Sequence, residues 1–219
     1  MPALIAERLR AATVAVIAVS VLVVAGMGTW LHRAGATSFD VWAFHRSVSA
    51  IGAGAAARLL WFSEPALSLT VIVLVAGLAA VARRWRLVAL AAVGPALAVW
   101  LTEDVLKPLI DRYLFQPGVP IALLRAGGGA FPSGHETGVA SAAVLALVAV
   151  GQIRLGGAAR AVAVAVLTAW PALAALGLVR NYYHYATDTI GALGVSAAVV
   201  LGAAMTIDAA VPALVRPRQ

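Results

Sequence analysis

Residues 11–31 read AATVAVIAVSVLVVAGMGTWL, without one charged side chain. A helix needs about 20 mostly apolar residues to cross the hydrocarbon core of a bilayer, and this stretch supplies them. Arg8 and Arg10 precede it and Ala34-Gly35-Ala36 follows, an arrangement that also fits a secretory signal with its cleavage site. The apolar run exceeds the roughly 7–15 residues of a signal's hydrophobic region, so it reads as a retained anchor helix.

Working outward, further spanning candidates lie near Pro65–Ala82, Leu87–Leu106, Gly134–Ile153, Ala161–Val179 and Thr189–Val211. Between the first two crossings, Ser38 to Phe62 mixes Phe39, Trp42, Phe44, Trp61 and Phe62 with Asp40, His45, Arg46 and Arg58. Aromatic residues interleaved with charge suit a helix lying in the interface. The expected fold is therefore all-α: a polytopic membrane protein with six transmembrane helices and an interfacial helix between the first and second, one domain over residues 1–219. Pro95 and Pro171 fall inside two spans, where neighbouring helices satisfy the freed carbonyls.

Composition agrees. Of the 219 residues, 63% are hydrophobic and 11% charged, with a mean hydropathy of +0.96. Soluble domains carry about 45–50% apolar and about 25% charged residues, so a soluble single domain is excluded. The absence of cysteine removes disulfides, thiolate metal sites and cysteine catalysis. The net charge of +7 belongs to membrane topology rather than to nucleic-acid binding. With the N-terminus inside, nine of the 16 basic residues fall on the cytoplasmic side: Arg8, Arg10, Arg83, Arg84, Arg86, Arg154, Arg160, Arg216 and Arg218. Among the remaining seven are Lys107, Arg112, Arg125 and Arg180, which a binding site accounts for. The arrangement is N-in, C-in.

The polar residues gather on the opposite side. One connection carries Lys107, Asp111 and Arg112 and then Phe131-Pro132-Ser133-Gly134-His135-Glu136; the other reads Arg180-Asn181-Tyr182-Tyr183-His184-Tyr185-Ala186-Thr187-Asp188. Ser133 and Glu136 have capping-box spacing, and Gly134 lets an anion approach the first backbone N–H groups of the helix. A cationic imidazole at His135 is disfavoured there unless an anion is bound. His184 and Asp188 stand four apart, so a carboxylate can fix one imidazole nitrogen and leave the other free to attack or to ligate. A buried structural His–Asp pair fits the same spacing. His135, Glu136, His184 and Asp188 offer metal ligands, but Lys107, Arg112 and Arg180 beside them repel a divalent cation and suit a phosphate. His32 and His45 lie at membrane boundaries without polar company, as do Trp30, Trp42, Trp61, Trp85 and Trp100, and all read as interfacial.

Phe131-Pro132-Ser133-Gly134-His135, followed by Arg180 and His184-x(3)-Asp188, resembles the type 2 phosphatidic acid phosphatase superfamily. That family groups membrane lipid phosphatases with vanadium haloperoxidases, and its pattern is K-x(6)-R-P, P-S-G-H and S-R-x(5)-H-x(3)-D. The resemblance implies that His184 is the nucleophile, forming a phosphohistidine, with Asp188 orienting it. It implies that His135 is the general acid, and that Lys107, Arg180, Ser133 and Gly134 cradle the phosphoryl oxygens without a metal or cofactor. Two departures stand out. Leu114-Phe115 replace the first motif's Arg-Pro, and Arg112 is expected to supply the missing contact in preference to Arg125. Arg180 also precedes His184 by four residues instead of six, and Val179 replaces the serine. Either that connection is shorter, or the fifth span extends and puts Arg180, His184 and Asp188 on one continuous face.

The implied activity is hydrolysis of a lipid phosphate or diphosphate, polyprenyl diphosphate or phosphatidic acid-like, at the extracytoplasmic face of a bacterial plasma membrane. The implied partners are the phosphorylated lipid and the surrounding bilayer. A non-catalytic transporter or binding protein for an anionic headgroup is the competing class. It needs the cations but not a His–Asp pair facing a second histidine.

Overall fold

The computed structural model describes residues 3–114 and 129–215. Helix α1 (Arg10–Leu31) is followed by α2 (Ser38–Ala50) and α3 (Ala53–Leu59), and a 3-10 turn leads into α4 (Pro65–Val81). Helix α5 (Trp85–Trp100) runs through a π-helical turn, Leu101–Leu106, into α6 (Lys107–Ile110). Then come α7 (Gly134–Gly151), α8 (Gly157–Arg180) and α9 (Ala186–Val215). No strand occurs among the described residues. Among the described residues, six helical stretches are long and apolar enough to cross a membrane: Glu7–Leu31, Ala53–Val81, Trp85–Ile110, Gly134–Gly151, Gly157–Arg180 and Ala186–Ala210.

The expected crossings are thus present in number and order. The second begins earlier than Pro65 and the third runs past Leu106, because helical geometry continues through Thr102, Glu103 and Asp104. The stretch expected as one interfacial helix, Ser38 to Phe62, is two helices and a 3-10 turn. It breaks where Ile51 (φ −131°, ψ 116°) and Gly52 (φ −63°, ψ 151°) are extended.

Helix α7 is the centre, with α4, α5, α8 and α9 packed around it and α1 outside on α9. Its sequence explains the position. Ala140, Ser141, Ala142, Ala143 and Ala146 are all buried, and small residues let neighbouring backbones approach closely where lipid supplies no hydrophobic drive between helices. Two apolar clusters hold it. Val139, Ala142 and Ala143 meet Trp170 and Ala174 of α8, whereas Leu145 and Val148 meet Leu87 and Leu90 of α5 and Val200 and Ala204 of α9. Trp170 is anchored by donating its indole N–H to the Phe62 carbonyl at 2.9 Å.

The two ends of the bundle differ. At one end the backbone N–H groups of Leu4 and Ile5 donate to Asp208 at 2.8 and 2.9 Å, and Arg86 donates to the same carboxylate at 3.1 Å. Gln152 donates to the carbonyls of Ala3 and Leu4, and Arg84 donates to the carbonyl of Gln152. The N-terminus and the α4–α5 and α7–α8 connections therefore share one end. The start of α2, the end of α6 and the starts of α7 and α9 share the other, as six antiparallel crossings require.

This parity generates a topology test. A reporter fused at Arg84 is expected to be cytoplasmic and one at Gly118, in the α6–α7 connection, extracytoplasmic. Both reporting from one side would overturn the arrangement.

Candidate active site

The side chain around which the site forms is Arg112, which no solvent reaches. Asp111 ends α6 in the left-handed region (φ 51°, ψ 39°), a conformation that Asp tolerates better than most residues, and the chain then turns inward. Arg112 donates through Nη2 to Asp40 Oδ2 at 2.7 Å and to the Gly35 carbonyl at 3.0 Å. Through Nη1 it donates to Thr187 Oγ1 at 2.6 Å and to Asp188 Oδ1. Its guanidinium carbon also lies 4.4 Å from the centre of the Tyr185 ring, within cation–π range.

Asp40 is held from every direction. It closes a capping box with Thr37 at the start of α2 and accepts from both the backbone and the hydroxyl of Thr187, at 2.9 and 2.8 Å. Burial works to raise its pKa. The hydrogen bonds from Thr187 and Thr37 and the charge of Arg112 outweigh that and hold it below its ordinary 3.8.

Asp188 links this cluster to the histidines. Besides Arg112 it accepts from the Tyr185 backbone N–H at 2.9 Å, and the same Oδ2 lies 3.5 Å from His184 Nδ1. That is ion-pair range and too long for a good hydrogen bond. His184 precedes α9, so the pair meets across the start of the helix. The backbone N–H of Ser133 donates to the Asp188 carbonyl at 3.1 Å, which binds the start of α7 to the start of α9. Ser133 Oγ accepts from the Glu136 N–H at 3.3 Å. Half of the expected capping box is therefore formed. The other half is not, because both Glu136 carboxylate oxygens are buried without a hydrogen-bond partner.

His135, in the first turn of α7, faces His184 with ring centres 6.3 Å apart. Both line a cavity of about 500 Å³ with Lys107, Glu103 and Gly134, and its apolar walls include Pro65, Leu69, Ile72 and Val99. Lys107 Nζ donates to both oxygens of Glu103, at 2.8 and 2.7 Å. A Cβ at residue 134 would meet Glu103 Oε1 and lie 3.3 Å from Lys107 Nζ, so the carboxylate of Glu103 lies directly against the helix start.

The structure therefore brings together Lys107, Ser133, Gly134, His135, His184 and Asp188. It does not bring Arg112 or Arg180 to the cavity wall. Arg112 is committed to two carboxylates, and Arg180 donates its Nε–H to the Ile51 carbonyl at 3.2 Å, at the α2–α3 break. The continuous face through Arg180, His184 and Asp188 does not form. Helix α8 stops at Arg180, and Tyr182 takes a positive φ of 62° before α9 begins. Arg125 lies outside the described residues.

The PAP2 superfamily profile matches residues 88–211. The chain belongs to the PAP2 superfamily. No curated relative and no solved structure matches it. The PAP2 match spans Lys107, the Ser133–His135 segment and the His184–Asp188 pair, and with the six crossings it makes this an integral membrane protein of a phosphatase family.

Three further residues escape a motif reading. Asp40 was signalled by Thr37-x-x-Asp40, and Glu103 by its place four residues before Lys107. Thr187 carried no signal beyond its neighbour.

Two outcomes follow for the buried cluster. Arg112→Met leaves two carboxylates buried without their counter-charge. Removing one partner of a buried pair costs about 3–5 kcal/mol, so thermal unfolding in detergent should shift sharply downward. Because the pKa of Asp40 is depressed on folding, its stabilisation is full above the ordinary value of 3.8 and is lost as pH falls through the folded value. Wild-type unfolding temperature should fall over that acid range, and Asp40→Asn should flatten the fall while lowering stability at neutral pH. An unchanged acid slope would remove Asp40 from that role.

Proposed function

We propose that the protein is a lipid phosphatase acting through a phosphohistidine on His184, with the site on the extracytoplasmic side of the membrane. The observation that carries this is the pair of imidazoles facing each other across a cavity closed by Lys107 and the N-terminus of α7. Asp188 lies toward Nδ1 of His184, so Nε2 is the free nitrogen. It attacks phosphorus, a P–N bond forms, and the P–O bond to the leaving group breaks. His135 gives its proton to the departing oxygen and then takes one from the water that hydrolyses the P–N bond, releasing phosphate and free His184. Charge spreading over the phosphoryl oxygens in flight meets the Lys107 ammonium and the first N–H groups of α7, donors already in place.

Arg112 serves here as a positioning residue. It fixes Asp188, and through Asp188 the imidazole of His184. The apolar wall of Pro65, Leu69, Ile72 and Val99 runs away from the polar end along α4 and α5, which suits the chain of a lipid phosphate. A polyprenyl diphosphate or a phosphatidic acid-like monoester presents such a chain.

Leaving-group chemistry separates the two histidines. His184→Ala should abolish phosphate release from every substrate. His135→Ala should lose about 10²–10⁴-fold with an alkyl phosphate, the scale of general acid catalysis, and far less with an aryl phosphate, whose leaving oxygen needs little protonation. Equal losses on both substrates in His135→Ala, with leaving-group dependence in His184→Ala, would reverse the assignment. Activity is expected to persist in EDTA and to be inhibited by vanadate, whose trigonal-bipyramidal adduct resembles the transition state. Strict dependence on magnesium would replace this reading with metal-assisted hydrolysis.

A further inference from the structure

The phosphoryl seat already holds an anion of the protein's own. Glu103 sits on the π-helical turn Leu101–Leu106 and places its carboxylate directly against Gly134, at the start of α7. Both of its oxygens accept from Lys107 Nζ, at 2.8 and 2.7 Å. A carboxylate there satisfies the two features that draw a phosphate: an ammonium, and the positive end of a helix whose first N–H groups lack intrahelical acceptors. The carboxylate and a phosphoryl group cannot both occupy that space. The Glu103 side chain is substantially exposed within the cavity, at 41%, whereas that of Lys107 is at 17%. The exposed partner is the one free to move.

Resting on the phosphatase reading, we propose that Glu103 is a built-in competitor for the phosphoryl seat. A substrate phosphate must displace its carboxylate from Lys107 and Gly134 before His184 can attack. Binding then exchanges one anion for another at fixed cations, so net charge in the seat changes little. The exchange favours a ligand that offers more oxygens and more charge than a carboxylate. Lipid phosphates and diphosphates meet that condition, and fatty acids or other carboxylated lipids do not. Glu103 thereby sets specificity as well as apparent affinity.

The test uses the full-length protein in detergent, with an aryl phosphate as substrate and vanadate as inhibitor. Apparent affinity is reduced by the fraction of molecules in the competent state. Removing the competitor in Glu103→Gln should therefore lower the inhibition constant for vanadate by roughly tenfold and lower KM with it, leaving kcat little changed. Glu103→Asp keeps the charge and withdraws it by one methylene, so it should move both constants the same way by less. It also serves if the Gln variant fails to fold. Asp104→Asn removes the same charge from an exposed neighbour and should change neither constant. Weaker or unaltered vanadate inhibition in the Glu103 variants would overturn the proposal, as would an equal gain in Asp104→Asn. A wild-type protein that turns over aryl phosphate while Glu103→Gln shows no gain defeats this inference alone. A wild type that releases no phosphate from any substrate defeats the phosphatase reading beneath it as well.

Discussion

A guanidinium with no solvent contact, shared between two carboxylates, is the constraint on which the histidine-bearing end of this protein depends. Arg112 reaches Asp40 at the start of α2 and Asp188 at the start of α9, and Thr187 accepts from Arg112 while donating to Asp40. A single buried ion pair seldom repays its desolvation. Here the acids use backbone N–H groups and hydroxyls as well, so little of their hydrogen-bonding capacity is left open. Three segments distant in sequence are thereby fixed relative to one another. One of them carries His184, and the Ser133–Asp188 backbone bond ties that segment in turn to the helix carrying His135. The segment that carries the proposed nucleophile is thus held in place by a cluster lying outside the cavity that His184 and His135 line.

Most of the fold was legible because its rule is local. An apolar run of sufficient length must be a helix in lipid, since only internal hydrogen bonding satisfies its backbone there, and parity of crossings then places each connection. The break at Ile51–Gly52 was less visible, because amphipathic stretches with aromatic residues look alike whether they are one helix or two. In the site, the residues read correctly as neighbours lie on short motifs or on connections that parity brings to one end. The arginines were another matter. A sequence shows that Arg112 is near the site but not which anion it serves, and its partners Asp40 and Asp188 lie 72 and 76 residues away. Arg180 was assigned by the family resemblance although its spacing to His184 departs from the motif, and the end of α8 at that residue directs it to the α2–α3 break.

The altered first motif takes on meaning in that light. Leu114-Phe115 stand where the family pattern has Arg-Pro, and Arg112, the available substitute, is buried on structural duty. Of the cations expected around the phosphate, Lys107 is the one the structure places on the cavity wall. Its charge is in turn matched by Glu103. The seat therefore relies heavily on the backbone N–H groups at the start of α7, which carry only partial charge. Backbone donors of this kind have a fixed direction, set by the helix that carries them.

That reliance also explains where along the bundle the site must sit. A helix start offers free N–H groups only in its first turn, and Gly134 and His135 in the first turn of α7 line the cavity. A phosphate can be bound there without taking its charge into hydrocarbon, while the wall formed by Leu69, Ile72 and Val99 descends toward the membrane interior. Polar and apolar halves of one ligand are thus met by the end and the flank of the same helix cluster. A water-soluble phosphate ester would use only the first of these. In the proposed reading, the apolar wall contributed by α4 and α5 is the feature that selects a lipid substrate over a soluble one.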